Sequence, residues 1–303
     1  MLKKYSETLH LNKFSCSLVK GGNTNIIYKI FIDNVSQPLI LRASKSKDYK
    51  KIQKEVQLHR YLNSVGIQCP KVLQINGKKQ EYFQININED VYPAIFLQYI
   101  EGSYPSNVVD FYQVGKMLGK LHSVPPPPFL MNENSGFNLT RFYTSIIPRE
   151  IILYGYSVGL DFNKLINFVD KETSNLKSGL CHSDFFRINA LISNHGCYMI
   201  DLESMGTDCL LFDLGMTCFG MITPRFTTIN DIHLNSLLYG YEKNRQLTLR
   251  EKRVLPYVIV LAALKVAIWR YNYSKNNPQH KEITSNLWKE AIMAAVNWNF
   301  LKI

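Results

Sequence analysis

Residues 182–189 read His182-Ser183-Asp184-Phe185-Phe186-Arg187-Ile188-Asn189, and they are followed by Ile200-Asp201-Leu202-Glu203 and by Asp213-Leu214-Gly215. Apolar residues frame the polar ones, so a carboxylate, an amide and a second carboxylate ride on backbone that their neighbours can anchor. Between them, residues 190–193 and 198–202 read as two short strands. A hairpin of that size folds Asp201 back toward the loop carrying Asp184 and Asn189. The bland alternative is a helix-capping loop with a chance His-Asp pair, and the ordered set of four elements argues against it.

Three oxygen-bearing side chains gathered in this way match the needs of phosphoryl transfer. That reaction asks for a carboxylate beside the attacking hydroxyl and for oxygen ligands that hold magnesium on the phosphates. Asp184 is the candidate for the first role, Asn189 and Asp201 for the second. Glu203 stands two residues past Asp201, on the same face if the strand stays extended. It is a candidate for the metal, for a cationic acceptor, or for plain loop hydrogen bonding.

The first hundred residues supply a cover for such a site. Runs 15–19, 26–33 and 38–44 alternate apolar and polar residues and read as three antiparallel strands. Residues 49–65 space Ile52, Val56, Leu58, Leu62 and Val65 as on a helix, with Gly66 as the stop. Two further strands are expected over 81–88 and 92–100. The turn Lys20-Gly21-Gly22-Asn23-Thr24-Asn25 joins the first two strands. Its glycines let backbone approach a phosphate, and Asn23, Thr24 and Asn25 offer amide and hydroxyl donors, although on its own it reads as an ordinary hairpin turn. Leu39-Ile40-Leu41-Arg42 puts a cation on the third strand, with Glu55 of the following helix as its ion-pair partner and Lys45 or Lys47 as fallback.

Taken together, HSDFFRIN (182–189), YMIDLES (198–204) and FDLG (212–215) resemble the motif of the aminoglycoside phosphotransferase, choline kinase and homoserine kinase superfamily. The 21–25 turn is similar to that family's Gly-Gly-x-Thr-Asn turn, and residues 114–122 to its helix ending in leucine-histidine. Gly240-Tyr241-Glu242, Arg245 and Leu247-Thr248 resemble late helices of bacterial homoserine-kinase-like members; both of these segments read as packing elements. The resemblance spans nearly the whole chain and implies an α+β, two-lobed protein-kinase-like fold. In it, residues 1–100 form an antiparallel sheet plus one helix that covers the nucleotide. Residues 101–303 form a mainly helical lobe for catalysis and acceptor binding.

The resemblance further implies ATP and Mg2+ as cofactors. ATP would lie under Gly21, Gly22, Asn23, Thr24 and Asn25, with Arg42 and Glu55 at its phosphates and the main chain of Gln98 and Ile100 at adenine. Asn189 and Asp201 would hold the metal while Asp184 orients the acceptor hydroxyl. Arg42 departs from the commoner lysine; its fork still grips phosphate, with a different geometry. The small-molecule acceptor has no readable code. A homoserine-like or other amino alcohol ranks first. Choline ranks second, with Trp269, Tyr271, Tyr273, Trp288 and Trp298 as cage candidates that serve equally as core. An aminoglycoside is disfavoured because the second lobe is charge-balanced and carries no acidic run. A non-catalytic, spore-coat-type relative would have a decayed motif, and here Asp184, Asn189 and Asp201 are all present.

Bulk properties narrow the rest. The net charge of +11 falls wholly within residues 1–80, where 15 basic residues meet 4 acidic ones. That excess suits a solvated lysine-rich surface or a cover for polyphosphate, and without a groove-reading motif no nucleic-acid partner is expected. Six cysteines without a CxxC pair read as reduced thiols. The first 20 residues lack a signal-like apolar core, and the apolar run 254–264 is too short to span a bilayer. The expectation is a cytoplasmic protein engaging no membrane, with its oligomeric state unwritten in the sequence. Residues 108–122 read as a helix presenting Val109, Tyr112, Leu118 and Leu121, residues 140–176 and 231–300 as mainly helical, and Pro125 to Pro128 as a stiff connector.

Overall fold

Strand alternation organises the first part of the chain in the computed structural model, which describes residues 14–19, 24–33, 35–74, 81–131, 133, 147–222, 230–277 and 287–298. The chain divides into two compact units, Met1–Gly102 with Tyr198–Glu203, and Ser103–Cys197 with Ser204–Ile303. In the first unit, β1 (Phe14–Leu18), β2 (Asn25–Ile32), β3 (Leu39–Ser44) and β6 (Asp90–Gln98) lie side by side and antiparallel. β4 (Val72–Leu73) and β5 (Tyr82–Ile87) share the outer edge of β6. Leu41, Ala43, Ala94 and Phe96 turn to one face with Ile30, Ile85 and Ile87. Ile95 and Leu97 turn to the other and meet Ile52 and Val56 of α1 (Tyr49–Ser64).

The same period of two delivers Arg42, between Leu41 and Ala43, to the helix side of the sheet. Glu55 occupies the buried stripe of α1 alongside Ile52, Val56 and His59. The sheet therefore brings the cation to the helix and the helix brings the carboxylate to the sheet. Asp48 starts α1 by accepting the Lys50 amide at 2.9 Å. Gly66, at φ 75°, closes it.

The second unit contains α2 (Val108–Leu121), α3 (Arg149–Ser157), α4 (Phe162–Thr173), α5 (Leu210–Ile222), α6 (Asp231–Tyr241), α7 (Leu249–Asn276) and α8 (Leu287–Asn297). Strands β7 (Ser178–Cys181) and β10 (Gly206–Cys209) pair antiparallel, with Cys181 opposite Gly206. β8 (Ala190–Ser193) and β9 (Gly196–Met199) form the expected hairpin, whose last residues pass into the first unit. The β7–β10 pair was not legible in the sequence, because four-residue strands rich in Gly, Ser and Thr show no alternation.

An Asn107–Asp110 capping box starts α2. Its buried face is built from Phe111, Val114, Met117, Leu118 and Leu121, whereas Val109, expected on the apolar face, is 66% exposed. Glycines set the face instead. A Cβ at Gly115 would come within 1.9 Å of the Leu237 carbonyl oxygen, and one at Gly240 within 2.1 Å of that of Tyr112. No side chain fits between backbones that close, and the contact seats the end of α2 beside Tyr241. The 28-residue α7 is long and apolar enough to cross a membrane, unlike the 254–264 run alone. However, 72% of its apolar window is buried, and α7 packs against α5 and α8, which is the behaviour of a core helix.

Candidate active site

In the first unit the guanidinium of Arg42, 4% exposed, serves three carboxylates. Nη1 pairs with Glu55, and Nη2 lies 2.8 Å from Asp201 Oδ1 and 3.1 Å from Glu203 Oε2. Asn25, the first residue of β2, donates Nδ2 to the same Glu203 oxygen at 3.2 Å and to Thr24 Oγ1 at 3.0 Å. The structure thus brings together Thr24, Asn25, Arg42, Glu55, Asp201 and Glu203. Gly21, Gly22 and Asn23 lie outside the described residues.

The strand expected over 198–202 is shorter than that. β9 ends at Met199, Asp201 takes φ 61°, and Leu202–Ser204 form a 3-10 turn. Glu203 is therefore not placed by strand alternation; the turn carries both carboxylates to one nitrogen of Arg42. Asp accepts the left-handed region more readily than most residues, and such conformations gather at functional sites. Three carboxylates around one guanidinium leave a formal charge of −2 when all are ionised. Asp201 and Glu203, each about a third exposed, offer single hard oxygen donors of the kind a divalent cation takes.

His59 stands one helical turn from Glu55, its Nε2 3.7 Å from the carboxylate. Burial lowers its pKa to about 4, so the ring is neutral and its Nδ1–H donates to the Pro70 carbonyl at 2.6 Å. The charge partner of Glu55 is Arg42. Lys47, a fallback for Arg42, is exposed and pairs with Asp90 at 2.5 Å. The Gln98 amide donates to the Lys71 carbonyl at 2.8 Å, so its main chain can serve an adenine through the carbonyl but not the amide. Ile100 is buried.

In the second unit β7 hands the chain to the 182–189 loop, which two rings anchor. Phe185 is fully buried, and Phe186 lies over Gly220, where a Cβ would come within 2.1 Å of the ring. Between them and the 3-10 turn Arg187–Asn189, Asn189 donates Nδ2 to Asp184 Oδ2 at 3.0 Å and to the Asp184 carbonyl at 2.8 Å. The five-residue spacing does join these two side chains. With its nitrogen committed, the Asn189 amide can offer a cation only Oδ1. Ser183 sits at φ 70°, and its buried hydroxyl has no hydrogen-bond partner among the described residues.

Sequence reasoning missed what holds this loop. Asp213, in the first turn of α5 and 1% exposed, accepts the amides of His182 at 2.7 Å and Ser183 at 2.8 Å. It also receives His122 Nε2 at 3.0 Å, while His122 Nδ1 meets the Tyr241 hydroxyl at 2.7 Å. Arg245 Nη1 donates to that hydroxyl at 3.0 Å and pairs through Nη2 with Glu251. Burial pushes the Asp213 carboxyl up, but the His122 bond and the His182 amide outweigh it and leave its pKa below the usual value. Burial likewise pushes His122 down, against the pull of Asp213. The pair is thus a neutral imidazole donating to a carboxylate.

His122, Cys181 and Asp213 are the one group among the described residues with the spacing of metal ligands, their ligand atoms lying within 4.8 Å of one another. Burial holds the Cys181 thiol protonated, and Asp213 already accepts three donors, so the group reads as a hydrogen-bonded brace. The leucine-histidine pair and the Gly-Tyr-Glu segment were visible in the sequence. Polar residues inside apolar helices were the signal that they do more than pack.

The model of the phosphotransferase enzyme family matches residues 15–247. Among solved structures, a microcompartment-associated aminopropanol kinase is similar at 14% identity and TM-score 0.73, over 97% of this chain and 95% of that one. An amicoumacin kinase, solved with AMP-PNP, Ca2+ and its antibiotic, is similar at 14% identity and TM-score 0.67, over 99% and 95%. An ethanolamine kinase from Plasmodium vivax follows at 13% identity and TM-score 0.63, over 97% and 83%. At such identities the likeness is one of fold, and it agrees with the expected two-lobed, protein-kinase-like α+β architecture.

Proposed function

We propose that this chain, which belongs to the phosphotransferase enzyme family, moves the terminal phosphoryl group of ATP to the hydroxyl of a small molecule, with an amino alcohol as the favoured acceptor. The observation that carries the reading is the Asp184–Asn189 bond, in a loop whose backbone Asp213 fixes through two consecutive amides. Phosphoryl transfer depends on positioning and charge more than on covalent catalysis. Asp184 orients the acceptor hydroxyl and takes its proton late. Arg42, kept in place by Glu55, meets the nucleotide phosphates together with the turn at Gly21, Gly22, Asn23, Thr24 and Asn25. Gln98 and Ile100 serve the adenine.

The residues that would hold Mg2+ are Asn189, through Oδ1, and Asp201, and the ion when bound neutralises phosphate charge. Glu203 keeps Arg42 and Asn25 oriented between turnovers. On this reading the sheet unit covers the nucleotide and the helical unit supplies catalysis and the acceptor pocket.

Fold likeness to an aminopropanol kinase and an ethanolamine kinase supports an amino alcohol. Likeness to the amicoumacin kinase supports a second reading, an antibiotic acceptor. Acceptor-dependent ADP release, measured with ATP and magnesium across amino alcohols, choline and aminoglycosides, separates them. The highest kcat/KM is expected for an amino alcohol. An antibiotic at the top would favour the second reading, and no acceptor-dependent ADP from any of them would remove the proposal.

A further inference from the structure

We infer that Tyr241, held by the Arg245–Glu251 pair, is a positioning residue for the loop that carries Asp184, acting through His122 and Asp213. What the loop does rests on the phosphotransfer reading; how it is held rests on hydrogen-bond chemistry within the second unit. A guanidinium can only donate. With Arg245 Nη1 3.0 Å from the Tyr241 oxygen, that oxygen accepts, and its own proton turns to His122 Nδ1, 2.7 Å away. His122 then carries its proton on Nε2 and gives it to Asp213 Oδ2. A cation that only donates at one end and a carboxylate that only accepts at the other thereby fix the direction of every bond between Arg245 and the group that grips His182 and Ser183.

The far end is equally fixed. Glu251 is 2% exposed and receives the Thr248 amide at 2.8 Å and its hydroxyl at 3.0 Å, in the capping box that starts α7. Packing alone would not call for this chain of buried polar groups, since apolar residues of equal size commonly hold helices together as well or better. What the chain adds is orientation. Asp213 needs its carboxylate aimed at two consecutive amides to keep Ser183 at φ 70°, and Ser183 directly precedes Asp184. A carboxylate free to rotate would let that strained residue relax and Asp184 swing with it.

Tyr241→Phe tests the inference, because it keeps the ring that stands edge-on to His122 at 5.5 Å and removes only the hydroxyl. The expected result is a fall in kcat of about tenfold, with KM for nucleotide and acceptor changed by less than about twofold, as for a displaced reacting group. In 15N-histidine spectra of the full chain, the His122 Nδ1 resonance should move as its hydrogen bond is lost while Nε2 stays protonated against Asp213, and the His182 and Ser183 amides should exchange faster. Arg245→Met should act in the same direction, and Arg245→Lys, which also only donates, should restore most of the activity. Unchanged kcat with merely lowered thermal stability, or unaltered exchange of the His182 and Ser183 amides in Tyr241→Phe, would overturn the inference. Should the wild-type protein phosphorylate nothing, the phosphotransfer reading falls, and the imidazole-resonance and exchange measurements still decide the wiring.

Discussion

Arg42→Met probes the first-unit cluster most sharply, because methionine keeps much of the side-chain length and loses the charge. Glu55, with a side chain 6% exposed, would keep a buried carboxylate without its cation. Removing one member of a buried pair costs about 3–5 kcal/mol. In the wild type His59 is neutral, lowered by burial and by the Arg42 charge, and so contributes no charge to Glu55. Asp201 and Glu203 are 34% and 33% exposed, so solvent screening limits their losses to at most about 1 kcal/mol each. The expected total is about 3–7 kcal/mol, most of it from Glu55.

Glu55→Gln should cost less, because Arg42 retains two other carboxylates. The double variant should lose at least about 1 kcal/mol less than the sum of the singles, since no buried charge is then stranded. The three tryptophans all lie in the second unit, so fluorescence would not follow the sheet. Native-state hydrogen exchange of β3 and β6 amides, alongside urea unfolding by circular dichroism, reads the local stability. A loss below about 1 kcal/mol for Arg42→Met, or strictly additive singles, would refute the idea that one guanidinium neutralises Glu55.

Two other predictions concern single residues. His59 has a folded pKa of about 4 against an ordinary 6.5, so the unfolded chain binds the extra proton between those values. Stability from this group is complete above pH 6.5 and is lost as pH falls toward 4, by about 3 kcal/mol in all. His59→Gln should flatten the stability–pH slope in that window, and an unchanged slope would contradict the assignment. Ser183→Gly removes a side chain held at φ 70° and a buried hydroxyl without a partner among the described residues. It should raise stability by about 1 kcal/mol. A lower midpoint in chemical denaturation would mean that the serine is stabilising.

Local pattern carried part of this molecule plainly. Alternation gave the strand that carries Arg42 and helical spacing gave α1, while the pairing of Arg42 with Glu55 was expected from the resemblance to kinases. The five-residue step from Asp184 to Asn189 was legible because both lie on one short loop. Asp201 and Glu203 were foreseen on an extended strand. They instead leave it through a left-handed residue and a 3-10 turn, a choice that local propensity does not encode. The chain from Glu251 to Asp213 was invisible, because its residues meet only once Gly115, Gly119 and Gly240 let two helices touch along their backbones. Val109 was misplaced on the same account: the glycines, not the apolar residues, mark the packed face of α2.

Phosphoryl transfer by this chain turns on Asp184. With saturating ATP, magnesium and the best acceptor, the measurement is acceptor-dependent ADP release by Asp184→Asn against the wild type, with nucleotide affinity determined in parallel. The predicted result is a kcat lowered by at least about 100-fold and a nucleotide Kd within about threefold of wild type. Equal kcat in the two proteins would contradict it.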